Sequence, residues 1–499
     1  MKHAPAIIVP LFVLLVFLLP HASGFTDDGF IHIQYARNII ERGEYSFNPG
    51  EISFGTTSPL WVMELAALGT FFDDREALIT LSRVLSWASG FAAIVVLYLL
   101  ALALGARRWT ATLASLAFAC DAWFARWTAL SMETSTAVLA VLLMTLASVR
   151  AFRDRRSAAY LGLTMVLASL LRPEVYLAFP VYLVSLWFQR RNLDRRCVWI
   201  TAAVTAALIV PWLVFAKFYI GSFLPNTAGA KSGGLVLHPL ALLRNFDPVV
   251  KIVGSTQALT VLAVVVAIVV HRSKSRMLSP PMRFLLLWVV ALPLAYVVFD
   301  IQILSRYLLL VTPLVCVAGW IAIEELVENR VLWARARIVM AVVAAIIVAV
   351  NCTLYFKVIL PPSRVFSHDL THSLRDMAVH IRDNSDEDAV VAAADIGYLA
   401  FYSNRRVLDL GGLVEPETGE LRSRFSYEEI IQEGMFLGLK GYPRVDYFID
   451  RELEPARFKG RAMSGYQFRQ VYTTVVGNLG LRKPGPYYYT LYQLTRNEL

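Results

Sequence analysis

The chain has 499 residues, of which 57% are hydrophobic and 17% charged, an apolar share beyond that of an ordinary soluble domain, which defines an integral membrane protein. Its formal charge of +9 does not make it a nucleic-acid binder, because the arginines gather in short clusters between apolar segments rather than along one polar face. Four cysteines, Cys120, Cys197, Cys316 and Cys352, lie within or beside apolar segments and suggest neither a disulfide framework nor a paired zinc motif.

In chain order, Lys2 followed by "APAIIVPLFVLLVFLLPHASG" has the basic start, apolar centre and small-residue end of a signal peptide. With so many spans behind it, an uncleaved first helix is the simpler reading, and it holds Asp27 and Asp28 at the far membrane surface. A polar stretch runs to about residue 58, then "SPLWVMELAALGTFF", too short to span comfortably and expected along the interface. Spans are predicted at approximately 79 to 104, 109 to 125, 130 to 149, 157 to 172, 174 to 189, 197 to 217, 251 to 270, 283 to 299, 307 to 323 and 335 to 356, about eleven helices in all. Around "LLRPEVYLAF" each half has only some fifteen apolar residues, so a re-entrant hairpin is the alternative there.

Alternating the sides puts "GARR", "RAFRDRR", "RRNLDRR", "HRSKSR" and "ENRVLWARAR" on one face, which the positive-inside rule makes cytoplasmic. The outer face then collects "TDDGFIHIQYARN", "RWTALSMET", "LRPE", "FLPNTAGAKSG", "DIQILSRY" and everything after residue 360. That last portion alternates helix and strand: "SLRDMAVHIRDN", "YEEIIQEGMFLGLKG" as helices, "AVVAAAD", "RRVLDL", "VDYFID", "FRQVYTTVV" and "YYYTLYQLT" as strands. The expected organisation is a transmembrane part, 1–358, including an outer loop 23–78, and a soluble extracytoplasmic α/β domain, 359–499.

The candidate chemistry lies on the outer face. Thr26 or Asp27 can cap a helix beginning near residue 28, where acids suit the positive end of the helix dipole. A cap needs one acid, however, and a second beside it adds repulsion unless a cation, metal or reacting proton is near. The segment sets Asp28, His32 and Asn38 to one side and Ile31, Ile39 and Ile40 to another, as an interfacial helix should. Structural readings accompany the other candidates. Glu133 can pair with Arg126 along the chain, and Arg172 and Glu174 flank Pro173 at a helix end whose carbonyls need donors. Arg306 can snorkel at the edge of a span, His32 can be a surface histidine, and Asp395 and Asp409 can be turn formers. Lys231, in a Pro-, Gly-, Asn- and Ser-containing loop, has no apolar surface to cover and favours ligand contact. "DIGYLAFYSNRRVLDLGG" contains no G-x-G-x-x-G, so a nucleotide site is rejected and Gly411 and Gly412 are assigned to a strand-ending turn.

The stretch "DDGFIHIQYARNIIERGEYSFNPGEISFGTTSPLW" resembles the first outer loop of GT-C superfamily membrane glycosyltransferases, in particular the mycobacterial terminal arabinofuranosyltransferase-like branch. "SMET", "LRPE", "LPNTAGAK", "SRY" and "DIGYLAFYSNRRVLDLGGLVEP" follow in the order of that branch, nearly end to end. One departure is Gln34, where the branch often has Arg; a donor-phosphate contact from that helix would fall to Arg37. The resemblance implies a GT-C-like polytopic α-helical fold in a bacterial cell membrane and an inverting transfer from a polyprenyl-phosphate sugar to a glycan or glycolipid acceptor. Under it Asp27 is the general base and Asp28 orients the acceptor or ligates a divalent cation, the one cofactor in question. Lys231, Arg306, Arg172 and Arg37 are the candidates for the donor phosphate, and Glu133, Asn226, His32 and Glu174 for acceptor or substrate. The alternatives are a transporter or flippase of lipid-linked saccharides, which should carry ionisable groups at mid-membrane, and a catalytically dead relative acting as a scaffold.

Overall fold

The computed structural model describes residues 4–190, 193–223, 225–226, 234–328, 333–481 and 483–496. The helices in chain order are α1 (Ala4–Leu18), α2 (Asp27–Arg42), α3 (Pro59–Gly69), α4 (Ala77–Ala103), α5 (Arg108–Ala119), α6 (Ala122–Ala129), α7 (Thr134–Ala151), α8 (Arg155–Leu171), α9 (Ala178–Gln189) and α10 (Arg195–Phe215). They continue with α11 (Pro239–His271), α12 (Pro280–Val298), α13 (Ser305–Leu308), α14 (Thr312–Glu328), α15 (Trp333–Thr353), α16 (Leu360–Leu370), α17 (Asp376–Asp383), α18 (Gly397–Ser403), α19 (Pro416–Arg424) and α20 (Tyr427–Gln432). The strands are β1 (Val390–Ala393), β2 (Arg406–Asp409), β3 (Tyr447–Glu452), β4 (Ala462–Met463), β5 (Tyr466–Asn478) and β6 (Pro484–Arg496).

Among the described residues six helices are long and apolar enough to cross a membrane: Ala77–Ala103, Thr134–Ala151, Arg195–Ile220, Pro239–Lys274, Pro280–Val298 and Arg335–Asp383. The protein is thus a multi-span helical membrane protein, with fewer full-length spans than the eleven expected. The difference has local causes. The apolar run from Arg108 is broken at Cys120 and Asp121, where Asp121 accepts from the N–H groups of Trp123 and Phe124 and starts α6. The run around "LLRPEVYLAF" is broken by Pro173 into the 17-residue α8, a 3₁₀ turn over Pro173–Leu177 and the 12-residue α9. A helix needs ~20 residues to cross ~30 Å of hydrocarbon, so neither piece does so upright.

The chain divides into two compact units. The first holds residues 1–22, 83–213 and 232–359 and is a helical bundle in which α7 packs on α8 and α11 on α14. Several of its buried polar groups are paired across helices. Gln257 donates to Asp121 at 3.0 Å, Asn351 accepts from the Ala122 N–H, and Arg276 pairs with the buried Glu324 at 2.7 Å. Glu325 accepts from the backbone N–H of Arg276 and the Ser275 hydroxyl, which pins the "HRSKSR" connection to α14.

The second unit holds residues 23–82, 214–231 and 360–499, so the outer loop after the first helix groups with the C-terminal domain. Its centre is a six-stranded mixed sheet in the order β2-β1-β3-β6-β5-β4, parallel between β1 and its two neighbours and antiparallel elsewhere. Phe436, Phe448, Phe458, Phe468 and Tyr492 pack ring against ring in its core, with Phe448 5.1 to 6.1 Å from the other four centroids. All seven elements predicted after residue 360 are present in type; the sequence reading missed α16, α18, α19 and the two-residue β4.

Candidate active site

Thr26, in extended conformation, caps α2 by accepting from the Gly29 N–H at 3.4 Å, and both acids lie in the first turn. At the far end Gly43 adopts φ +71°, a left-handed value that closes the helix with its N–H on Asn38 and Ile39 carbonyls. Asn38 then donates to the Ser46 and Phe47 carbonyls at 3.0 and 2.8 Å, folding the "SFNPGE" loop back along the helix. Asn48 of that loop acts as an extra half-strand for the sheet edge. Its Oδ1 accepts from the Val407 N–H at 3.0 Å and its Nδ2 donates to the Val407 carbonyl at 2.9 Å, covering exposed edge groups of β2.

Asp27 lies where α2 meets α18. Its Oδ2 accepts from the Gly397 N–H at 3.0 Å and its Oδ1 from the Tyr398 N–H at 2.9 Å, so two unsatisfied donors of one helix terminus are met by the first residue of another helix. Approach this close requires glycine: a Cβ at 397 would lie 2.1 Å from the Asp27 carbonyl oxygen and 3.0 Å from Phe30 Cβ. Phe30 packs on Phe25, Tyr398, Phe401 and Tyr402, which removes water from this side of the carboxylate. Burial, followed by the nearby Asp395 carboxylate, raises Asp27 to about 8; the Tyr398 and Gly397 N–H groups oppose the rise and Asp28 adds to it. Asp395 is itself held by Arg451 at 2.6 Å and by the Tyr489 hydroxyl at 2.7 Å, an ion pair rather than the turn former considered from sequence. Gly397→Ala is therefore expected to destabilise this unit by ~1–3 kcal/mol or more through overpacking. Thermal unfolding in detergent followed by tryptophan fluorescence measures it, and an unchanged transition contradicts the close packing.

Other predicted residues of this unit fall as follows. Asp28 is half-buried beside Asp27. His32, read as a surface histidine, is buried, with Nδ1 2.7 Å from the Thr56 hydroxyl; the loop before α3 returns over it. Gln34 donates to the Phe47 carbonyl at 3.2 Å. Arg37 is buried and committed to Glu41 at 2.7 Å and Asn404 at 3.0 Å. The Asn226 N–H donates to the Phe54 carbonyl at 3.0 Å and its Nδ2 to the Leu413 carbonyl at 3.2 Å. Asp409 is the turn former considered from sequence: it accepts from the N–H groups of Gly411, Leu413 and Val414, and burial raises it to about 6. Lys231 lies outside the described residues.

The helical bundle gathers the remaining candidates. Arg172 is the buried centre of a triad, donating from Nη1 to Glu133 at 2.9 Å and from Nη2 and Nε to the two oxygens of Glu174 at 2.6 and 3.2 Å. Glu133 is thus paired with a residue 39 positions along the chain. Arg126 lies 4.5 Å from the Trp127 ring, and Arg306 lies 5.2 Å from the same ring and 5.4 Å from Tyr307. Both guanidinium groups are buried, and burial together with the charge of Arg306 pushes Arg126 down to about 10. Trp127 is fixed by its Nε1 donating to the Ser305 hydroxyl at 2.8 Å. Two guanidinium groups thus lie within 4.5 to 5.2 Å of one indole ring, and Arg is the side chain whose donor fork fits phosphate oxygens. Arg126 was not among the sequence candidates; its place one residue before Trp127 in "RWTALSMET" was the available signal.

Among the described residues no three His, Cys, Asp or Glu side chains gather as a metal site.

The family model of a domain of unknown function, DUF8728, matches residues 366–492. No curated protein matches the chain. Solved structures do. The apo oligosaccharyltransferase of Archaeoglobus fulgidus superposes with a TM-score of 0.62 at 13% identity, over 90% of this chain and 69% of that one. ArnT from Cupriavidus metallidurans superposes in its apo state with a TM-score of 0.55 at 14% identity, over 99% and 98%. With undecaprenyl phosphate bound to ArnT the values are 0.51, 14%, and 98% of both chains. The chain thus shares the fold of these two proteins, a multi-span helical body with a C-terminal mixed-sheet domain. More particularly it is ArnT-like, since the likeness there runs almost the full length of both chains.

Proposed function

We propose that this protein is an inverting glycosyltransferase that moves a sugar from a polyprenyl-phosphate donor to a glycan or glycolipid acceptor of the cell envelope, working on the extracytoplasmic side of a bacterial cell membrane. The observation that carries the reading is Asp27, a buried carboxylate oriented by two backbone N–H groups with its pKa raised to about 8. A general base is most effective with its pKa near the working pH, and each carboxylate oxygen keeps a lone pair for a substrate proton.

In the proposed step an acceptor hydroxyl gives its proton to Asp27 as its oxygen forms a bond to the anomeric carbon. The bond from that carbon to the phosphate oxygen breaks on the opposite face, leaving polyprenyl phosphate. Phosphate is a good leaving group and calls for cations rather than a general acid. Arg306 and Arg126 are assigned that role. Lys231 is a further candidate from sequence, whereas Arg172 and Arg37, already engaged by carboxylates, are assigned to positioning. Asp28 orients the acceptor, and Asn226, His32, Glu133 and Glu174 are the remaining contacts proposed for substrate. Arabinofuranose is the sugar suggested by the likeness of the outer-loop motifs.

Two outcomes separate this reading from a transporter. Purified protein in vesicles, given radiolabelled polyprenyl-phosphate pentoses and hexoses with envelope glycans, is expected to transfer label to an acceptor and release polyprenyl phosphate. Movement of the labelled lipid between leaflets with no transfer overturns the proposal. Because Asp27 acts only when ionised, kcat/KM is expected to climb as pH rises through about 8. The same upward shift makes the ionised form the costlier one in the folded state, so stability contributed by protonated Asp27 is lost progressively as pH rises from 3.8 to about 8. A flat profile from pH 6 to 9 contradicts the assignment.

A further inference from the structure

We propose that the helical bundle carries a second, separate lipid site: a groove between α4, α7 and α8 that takes one acyl chain of an anionic phospholipid, with its phosphate at Arg150. The groove has a volume of about 430 Å³ and is walled by Ala103 of α4, Leu143, Ala147 and Arg150 of α7, and Tyr160 and Thr164 of α8. That size is in the ~300–1,000 Å³ range of small-ligand sites. Ala103 of α4 and Ala147 of α7 are the small apolar side chains of its lining. The Thr164 hydroxyl is turned back onto the Tyr160 carbonyl at 2.7 Å, which leaves its methyl group to the groove.

Polarity is confined to one end. Arg150 lies in the last turn of α7, and no ion pair engages it among the described residues. Ser157, at the same end, is already taken by Asp154, which accepts from both its N–H and its hydroxyl at 2.7 Å. Arg153, Arg155 and Arg156 follow within six positions of chain, so Arg150 to Arg156 holds four arginines against one aspartate. An apolar slot that ends in an arginine, within a stretch rich in arginine, is complementary to a lipid head of net negative charge rather than to a neutral or zwitterionic one. Arg126, Arg306 and the acids proposed for sugar transfer take no part in it.

The test is native mass spectrometry of the intact protein released from bilayers of equimolar phosphatidylglycerol and phosphatidylcholine. Wild type is expected to retain one phosphatidylglycerol in preference to phosphatidylcholine. Arg150→Gln should reduce that preference about fivefold, the loss of one basic contact. Ala147→Phe, which fills the groove, should abolish retention of both lipids while the thermal transition stays in place. Equal retention of the two lipids by wild type, or undiminished phosphatidylglycerol on both variants, overturns the proposal. A dimer mass that Ala147→Phe removes assigns the groove to a second copy instead and likewise overturns it.

Discussion

Asp27→Asn is expected to lower the rate of sugar transfer by a factor of ~10²–10⁴, the usual contribution of a positioned general base. The substitution also has a structural effect that must be read separately. The asparagine Oδ1 can accept from only one side, and its NH₂ group then faces the other backbone donor, Gly397 N–H or Tyr398 N–H. A buried donor left without an acceptor costs about 1–3 kcal/mol, so a lowered unfolding temperature is expected as well. Asp28→Asn provides the contrast: its side chain is half-buried, and its loss should raise KM for the acceptor more than it lowers kcat. Radiolabel transfer at saturating acceptor, with unfolding followed in parallel, distinguishes the two. Equal activity of wild type and Asp27→Asn contradicts the base assignment.

Arg172→Ala should be the most destabilising substitution in the helical bundle. Glu133 and Arg172 have side chains 1% and 5% exposed, and Glu174 is 17% exposed, so removing the cation leaves two acids side by side in a poorly solvated site. Breaking a buried ion pair from one side costs about 3–5 kcal/mol. The triple change Arg172→Met, Glu133→Gln, Glu174→Gln removes the charges together and is expected to recover much of that loss, because the penalty lies in the uncompensated charge. Thermal unfolding in detergent measures both. An Arg172→Ala protein as stable as wild type shows the triad to be solvated and the account of it wrong.

What was legible in the sequence was whatever repeats or acts over a few residues. The cap at Thr26, the apolar periodicity of the long helices, the alternation of the C-terminal strands and the turn at Asp409 all depend on neighbours within about five positions. Pairings set by tertiary packing were not. The bond of Glu133 to Arg172 joins residues 39 positions apart; His32 looked solvent-facing because Thr56, whose hydroxyl bonds it, returns from 24 residues away. The short α18 was hidden because its first donors are capped by Asp27, 370 positions earlier, and not by a local Ser, Thr or Asp. Fewer helices have full spanning length than expected for a simpler reason: hydropathy registers the apolar run from residue 109 to 125 without seeing that Asp121 caps a new helix within it, and the halves on either side of Pro173 are each short.

The guanidinium pair on Trp127 is the place where a lipid phosphate donor has to be recognised if the proposed chemistry is right. A single-particle map of the protein with a non-transferable polyprenyl-phosphonate sugar tests this most directly. The phosphonate is expected within hydrogen-bond distance of Arg306 and Arg126, with the Glu133–Arg172–Glu174 triad intact. Phosphonate density bound elsewhere, with both arginines unchanged and no ligand beside them, would contradict the account.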